Sequence, residues 1–264
     1  MEILHLGFMQ RALLEGLMVG TLCAILGVFV VLKNLSFVAA GISHAAFGGV
    51  ALGYLLGTNA ILTTFFFCIL TGLGIALLTQ RSSLKEDTIV GILYASTMAL
   101  GIFLLSFSRG YTVDLFSYLF GSILAVTPVD LLATFLVLIG VTFLLLFFFK
   151  EFLVVTLDPE TAKATGLPVE AFNSLLTVLV ATAIVVSIRV VGIVLVSALI
   201  VIPAATALRL FQEIKRVMLF AVLLSILSCL LGLLFSFSLN TPSGATIVLL
   251  NAAFFGASLL RRSL

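Results

Sequence analysis

Charge is what this sequence has least of. Only 9% of its 264 residues are Asp, Glu, Lys or Arg, 62% are hydrophobic, and the mean hydropathy is +1.38. Soluble domains carry about 25% charged residues. So few charges cannot cover a surface facing water, and the solvent for most of the chain is therefore a lipid bilayer. A net charge of +2 leaves no electrostatic case for nucleic acid as a partner. Cysteine is scarce as well. Cys23, Cys68 and Cys229 lie far apart inside apolar runs, which argues against a disulfide framework or a zinc knuckle and reads as small apolar packing. Missing too are a phosphate loop of the Gly-x-x-x-x-Gly-Lys-Ser/Thr type, a nucleophile elbow and a His-Glu-x-x-His helix. The chain therefore has no ATPase motif of its own and no catalytic constellation, which discounts an intramembrane enzyme. No run of intramembrane carboxylates suits proton coupling, and that favours an external motor. The start, Met1 to Arg11, carries Glu2 and His5 and is not expected to be a cleavable signal peptide.

What is present is a series of long apolar runs. A span needs roughly 20 apolar residues. Residues 34–80 contain no Asp, Glu, Lys or Arg, and neither do 217–260, so turn residues must divide them. Breaks at Gly57-Thr58-Asn59 and at Asn240 to Gly244 do so. The runs then predict spans at about 12–33, 37–57, 60–80, 88–107, 129–149, 171–189, 191–211 and two within 217–260. Residues 112–126 read as a short interfacial or re-entrant helix. The tight junction at Arg189-Val190 suggests that one of the flanking spans is broken or short. The expected fold class is all-α, a polytopic transmembrane helical bundle of about nine long spans, forming one transmembrane domain over 1–264 with a cytoplasmic loop at 150–170. With the C-terminus inside, ten of the thirteen Lys and Arg residues fall on the cytoplasmic side, Lys33 among them, and only Arg11, Arg109 and Arg189 fall outside.

Several residues stand out against this background. His44 is the one ionisable group deep in a chargeless stretch, and such groups usually face a cavity or a partner. Imidazole binds transition metals, but a histidine bonded to a helix carbonyl for packing explains it equally well. One histidine does not close a four-ligand site. A symmetric homodimer brings two, and an open, weak site suits an ion that must also leave. Gly49, Gly53 and Gly57 recur every four residues and suit close helix packing. Pro203 inside the seventh span is a static kink or a gating hinge. Glu15, near the outer end of the first span, is expected to snorkel to the interface rather than line an entry. Asp114 and Asp130 read as solvated outer-side charges. In the 150–170 loop, Asp158-Pro159-Glu160-Thr161 has the form of an N-cap, an N1 proline and an acidic first turn; Ala162 and Lys163 continue it and Gly166 stops it. This predicts a two-turn cytoplasmic helix at 159–165, either a docking element or a capped linker.

Three segments together resemble the permease subunits of metal-ion ABC importers of the zinc, manganese and iron group. They are Gly41-Ile42-Ser43-His44-Ala45-Ala46-Phe47-Gly48-Gly49-Val50-Ala51-Leu52-Gly53, the run from Leu157 to Leu167, and Val191 to Ala207 containing Pro203; the Pro242-Ser243-Gly244-Ala245 turn also fits. Their order and spacing match across nearly the whole chain. The resemblance implies a homodimer in the inner (plasma) membrane of a bacterium. Its partners would be two cytoplasmic ATP-binding subunits and an extracytoplasmic metal-binding protein. The cargo would be a divalent transition-metal ion, zinc or manganese first, with no permanently bound cofactor and ATP held by the partner. It assigns metal handling to His44, with Ser43 and Pro203 as pathway or gating residues. Coupling to the ATPase falls to Asp158, Pro159, Glu160, Thr161, Ala162, Lys163 and Gly166. Many members place an aspartate one helical turn before the histidine; here that position is Ala40, which leaves the completion of the coordination open. A permease for a metal chelate such as a siderophore or cobalamin, and an ion-coupled secondary transporter, are the alternative readings.

Overall fold

The computed structural model describes residues 7–107, 121 and 126–260, all of whose regular structure is helical. All but residues 121 and 126 of the interfacial or re-entrant helix expected at 112–126 lie outside the described residues, as do Arg109, Asp114 and the basic tail. Eleven helices are described: α1 (Gly7–Leu32), α2 (Ser36–Leu56), α3 (Ala60–Arg81), α4 (Glu86–Ser106), α5 (Pro128–Phe147), α6 (Phe149–Leu157), α7 (Pro159–Ala164), α8 (Val169–Val191), α9 (Ile193–Leu210), α10 (Ile214–Leu239) and α11 (Ser243–Leu260). All but α6 and α7 are long and apolar enough to span a bilayer, which makes nine among the described residues.

Local chemistry places the boundaries. Asn59 caps α3 by accepting from the Ile61 and Leu62 amides. Thr127 and Asp130 close a capping box around Pro128 at the start of α5, which gives Asp130 a structural task. The expected junction between the sixth and seventh spans is a single residue, Gly192, at φ 85° and ψ 159°. Only glycine enters that region readily, so one residue turns the chain while both helices stay whole. Neither is broken: α8 has 23 residues, and α9, with 18, continues through Pro203. The Ser197 and Thr206 hydroxyls bond to Ile193 and Ile202 of their own helix.

Two packing groups build the bundle. α2 lies against α3 and α4, α1 lies against α9 and α10, α11 covers α9 and α10, and α8 bridges the two groups. α1 and α2 are the most enclosed spans, whereas α4, α5 and α11 are peripheral. Large apolar side chains such as Phe66, Leu70, Phe103, Phe143, Phe147 and Leu249 point outward. In water such a belt is an aggregation surface; in hydrocarbon it is the ordinary surface. The glycine stripe of α2 divides by task. A methyl at Gly49 or Gly53 would strike the α3 backbone at Thr64 or Ala60, so these two let α2 and α3 touch. Gly57 packs against nothing; at φ 63° it ends the helix.

Two expectations are corrected. The 150–170 segment is not polar loop throughout: α6 occupies 149–157, because Phe152 and Val155, three residues apart, bury one face. Glu15 neither snorkels nor lines an entry. It is fully buried and its Oε1 accepts a 2.6 Å hydrogen bond from Thr134 of α5.

Candidate functional site

The elements that sequence reasoning singled out sit on α2, α7 and α9. His44 lies eight residues into α2, about 12 Å along its axis. Its side chain is half-buried, and its ring meets that of Tyr94 on α4 edge-on, with centroids 4.7 Å apart and planes at 88°. Nδ1 is buried without a hydrogen-bond partner. A packing bond to a helix carbonyl is therefore not made through Nδ1. Ser43 is fully buried and donates to the Ala39 carbonyl at 2.9 Å, so its proton is spent within its own helix. Ala40 offers no donor atom. Among the described residues no group of three or more His, Cys, Asp or Glu side chains gathers to hold a metal. Among the described residues the His44 imidazole thus stands without other metal-ligating side chains gathered around it, and one imidazole does not make a closed four-ligand site.

Two clefts approach α2 from opposite ends. One, of about 300 Å³, is lined by polar groups of Lys33, Thr79, Glu86, Glu170 and Asn173, beside Leu35 and Val38 at the start of α2. The other, of about 260 Å³, is lined by Val50, Tyr54, Asn59, Thr64 and Val185 at the far end of α2. Between them Ile42 packs with Val38, Leu176 and Val180, leaving only about 10 Å³. His44 does not line either cleft; it sits at intermediate depth on the face of α2 toward α4.

α7 is the polar exception in an apolar chain. Asp158 accepts from the Thr161 amide at 3.0 Å, Pro159 fills the first helical position, and Gly166, at φ 84°, ends the turn. The Leu167 amide returns to the Ala162 carbonyl and the Gly166 amide to Lys163, the closing pattern expected of a helix stopped by glycine. Hydrogen bonds from Thr161 hold the Asp158 carboxyl below its ordinary range, so the cap is ionised at neutral pH. Of the coupling residues only Ala162 faces inward, joining Val155 and Val169 in a small apolar cluster. Glu160, Thr161 and Lys163 are exposed. Lys163 pairs with Glu170 at 3.3 Å, a surface contact of small energetic weight. α7 therefore stands outside the bundle on its own cap and a three-residue footing, a shape suited to being gripped.

Lys33 and Tyr94 were missed as site residues. Lys33 entered the sequence reading only as a positive charge, yet its Nζ donates to the Val155 carbonyl at 3.3 Å and to Asn173 Oδ1 at 2.6 Å. Burial holds its ammonium below the usual lysine range, with Glu86 acting in the opposite sense. A partial signal existed: Pro159 has no N–H, so it cannot serve the Val155 carbonyl four residues earlier. Tyr94 left no comparable trace.

Nine spanning helices among the described residues, with clefts at both ends of one enclosed helix and a capped polar helix at one end, define a multi-pass membrane bundle of the kind that permeases use. The chain matches the model of the ABC 3 transport family over residues 5–262, and it belongs to that family. It is 38% identical over 96% of its length to the manganese transport system membrane protein MntC of Listeria innocua, 90% of which is covered. It is 36% identical to a Haemophilus influenzae protein named "Probable iron transport system membrane protein", over 97% of this chain and 94% of that one. Among solved structures it superposes on PsaBC from Streptococcus pneumoniae in complex with Fab, with a TM-score of 0.88 at 35% identity, covering 98% of this chain and 93% of that chain. The protein is a multi-pass ABC permease of the bacterial inner membrane.

Proposed function

We propose that the chain is the membrane subunit of an ATP-driven importer for a divalent transition-metal ion, manganese before zinc or iron. It works as a homodimer with two ATP-binding subunits on the α7 side and a metal-binding protein on the other. The single observation that carries this reading is α7: a capped, exposed polar helix standing at one end of a bundle of long apolar spans. The preference for manganese rests on what the relatives are named for. The 158–166 segment receives the stroke of ATP-driven closure. The ion passes the face of α2 that bears His44, whose counterpart in the second copy supplies another imidazole. Two neutral imidazoles make an incomplete site that an ion can enter and leave. Pro203, buried in α9, serves as a static kink or a hinge of that movement. The whole chain acts as a single transmembrane unit.

The test is reconstitution. Liposomes holding this chain with its cognate ATPase should take up manganese only when ATP and the binding protein are supplied on their proper sides. Uptake by the chain alone, without ATP, would instead assign it to the ion-coupled secondary transporters.

A further inference from the structure

Val155 lies in the last turn of α6, where carbonyls have no helical donor, and Pro159, which starts α7 four residues on, has no N–H to offer it. Lys33 supplies the donor and at the same time binds Asn173. These three residues belong to separate parts of the molecule. Val155 is in α6 and, with Ala162 and Val169, forms the floor on which α7 rests. Asn173 is near the start of α8. Lys33 lies immediately past α1, in the turn that leads into α2. That turn is tightly set: Asn34 adopts a left-handed φ of 59°, and the Leu35 amide returns to the Val30 carbonyl at 2.8 Å. α7 packs on α6 and α8, so a force applied to it reaches both Lys33 acceptors. The remaining contacts between α1 and α6 include aromatic ones, Phe29 with Phe149 and Phe152 at 6.3 and 5.9 Å between ring centres, which can slide. Charge-assisted hydrogen bonds are directional and do not slide.

We propose that Lys33 is the positioning residue that carries movement of α7 into the α1–α2 turn, and so to the segment of α2 that bears His44. This rests on reading α7 as the element gripped by the ATPase. The bonds to Val155 and Asn173 make α6, α8 and the α1–α2 turn move together, although the chain separates Lys33 from its acceptors by 122 and 140 residues.

The experiment measures manganese ions imported per ATP hydrolysed, in liposomes holding the permease with its ATPase and binding protein. Lys33→Met keeps the apolar stem and removes the donors. It should leave ATP hydrolysis within about twofold of wild type while imported ions per ATP fall about tenfold, a size in keeping with couplings carried by single contacts. Lys33→Arg, which can still donate to both acceptors, should restore the ratio to within about threefold. Asn173→Ala should lower it less, and combining it with Lys33→Met should add nothing further. A Lys33→Met transporter with a wild-type ratio, or failure of Lys33→Arg to restore it, overturns the role of Lys33. If Lys33→Met does not co-purify with the ATPase, Asn173→Ala, which keeps the Val155 bond, carries the test, and an unchanged ratio there overturns the role. If wild type itself shows no ATP-dependent uptake, the reading of the whole chain falls and this inference with it.

Discussion

Thr134→Val tests the packing of α1 against α5 through one bond. The Thr134 hydroxyl is fully buried and donates to Glu15 Oε1 at 2.6 Å, while Glu15 Oε2 has no partner. Valine matches threonine in shape, so the change deletes a donor and leaves a buried carboxyl with neither oxygen bonded. Stranding a buried polar group costs about 1–3 kcal/mol, but hydrogen bonds between membrane helices measure about 0.6 and at most about 1.7 kcal/mol. The expected loss is therefore about 1–2 kcal/mol, or about 3–6 °C in Tm for a chain of this size. Glu15→Leu should cost less, because Thr134 can turn its hydroxyl to a carbonyl of its own helix. The double variant should then be no less stable than Glu15→Leu alone, since both members of the pair are gone. A thiol-reactive dye reads the transition, because Cys23, Cys68 and Cys229 are all free and buried until the bundle opens. Additive losses in the double variant, or an unchanged Tm for Thr134→Val, would refute the pairing.

Gly27→Ala should destabilise the junction of α1 and α9, because the added methyl would lie 1.9 Å from the Ile200 carbonyl oxygen and backbone cannot swing aside. Overpacking of about 1–3 kcal/mol should outweigh the helix propensity gained, and the same dye should report a lower Tm. Asp158→Ala should weaken binding of the ATPase by uncapping α7, whereas Asp158→Asn, which still accepts a hydrogen bond, should keep most of it. The Asp158 carboxyl sits below its ordinary value of 3.8. Its capping contribution is thus complete above that value and is lost only as pH falls through the lowered one. ATPase binding should not change between mildly acidic and mildly alkaline pH on account of this cap, and a loss centred near neutral pH would contradict it. His44→Ala should impair metal uptake while assembly of the transporter survives; unchanged uptake would return His44 to a packing role.

Much of this fold is written in the order of charge and turn residues. The charge-free runs 34–80 and 217–260 had to hold two spans each, and Asn59 and Asn240 sit where each pair divides. α7 was legible to within one residue because its start and stop depend on Asp158, Pro159 and Gly166 alone. What was not legible depends on partners far away in the chain. α6 hides behind Lys150 and Glu151, and only the burial of Phe152 and Val155 against neighbouring helices makes it a helix. Glu15 looked like an interfacial charge because nothing near it in sequence announces Thr134, 119 residues on. At the candidate site, His44 was visible as an imidazole in a chargeless stretch, but its contact with Tyr94 and the idle Nδ1 belong to the packing of α2 on α4.

If α7 receives the power stroke of a partner ATPase, as proposed, its exposed charges must matter to coupling. The most direct measurement is manganese-coupled ATP hydrolysis by the reconstituted transporter carrying Glu160→Ala and Lys163→Ala together. Both side chains are exposed and neither supports the bundle core, so the protein should fold and insert while coupled hydrolysis and uptake fall sharply. Full transport-coupled hydrolysis in that double variant would contradict the claim.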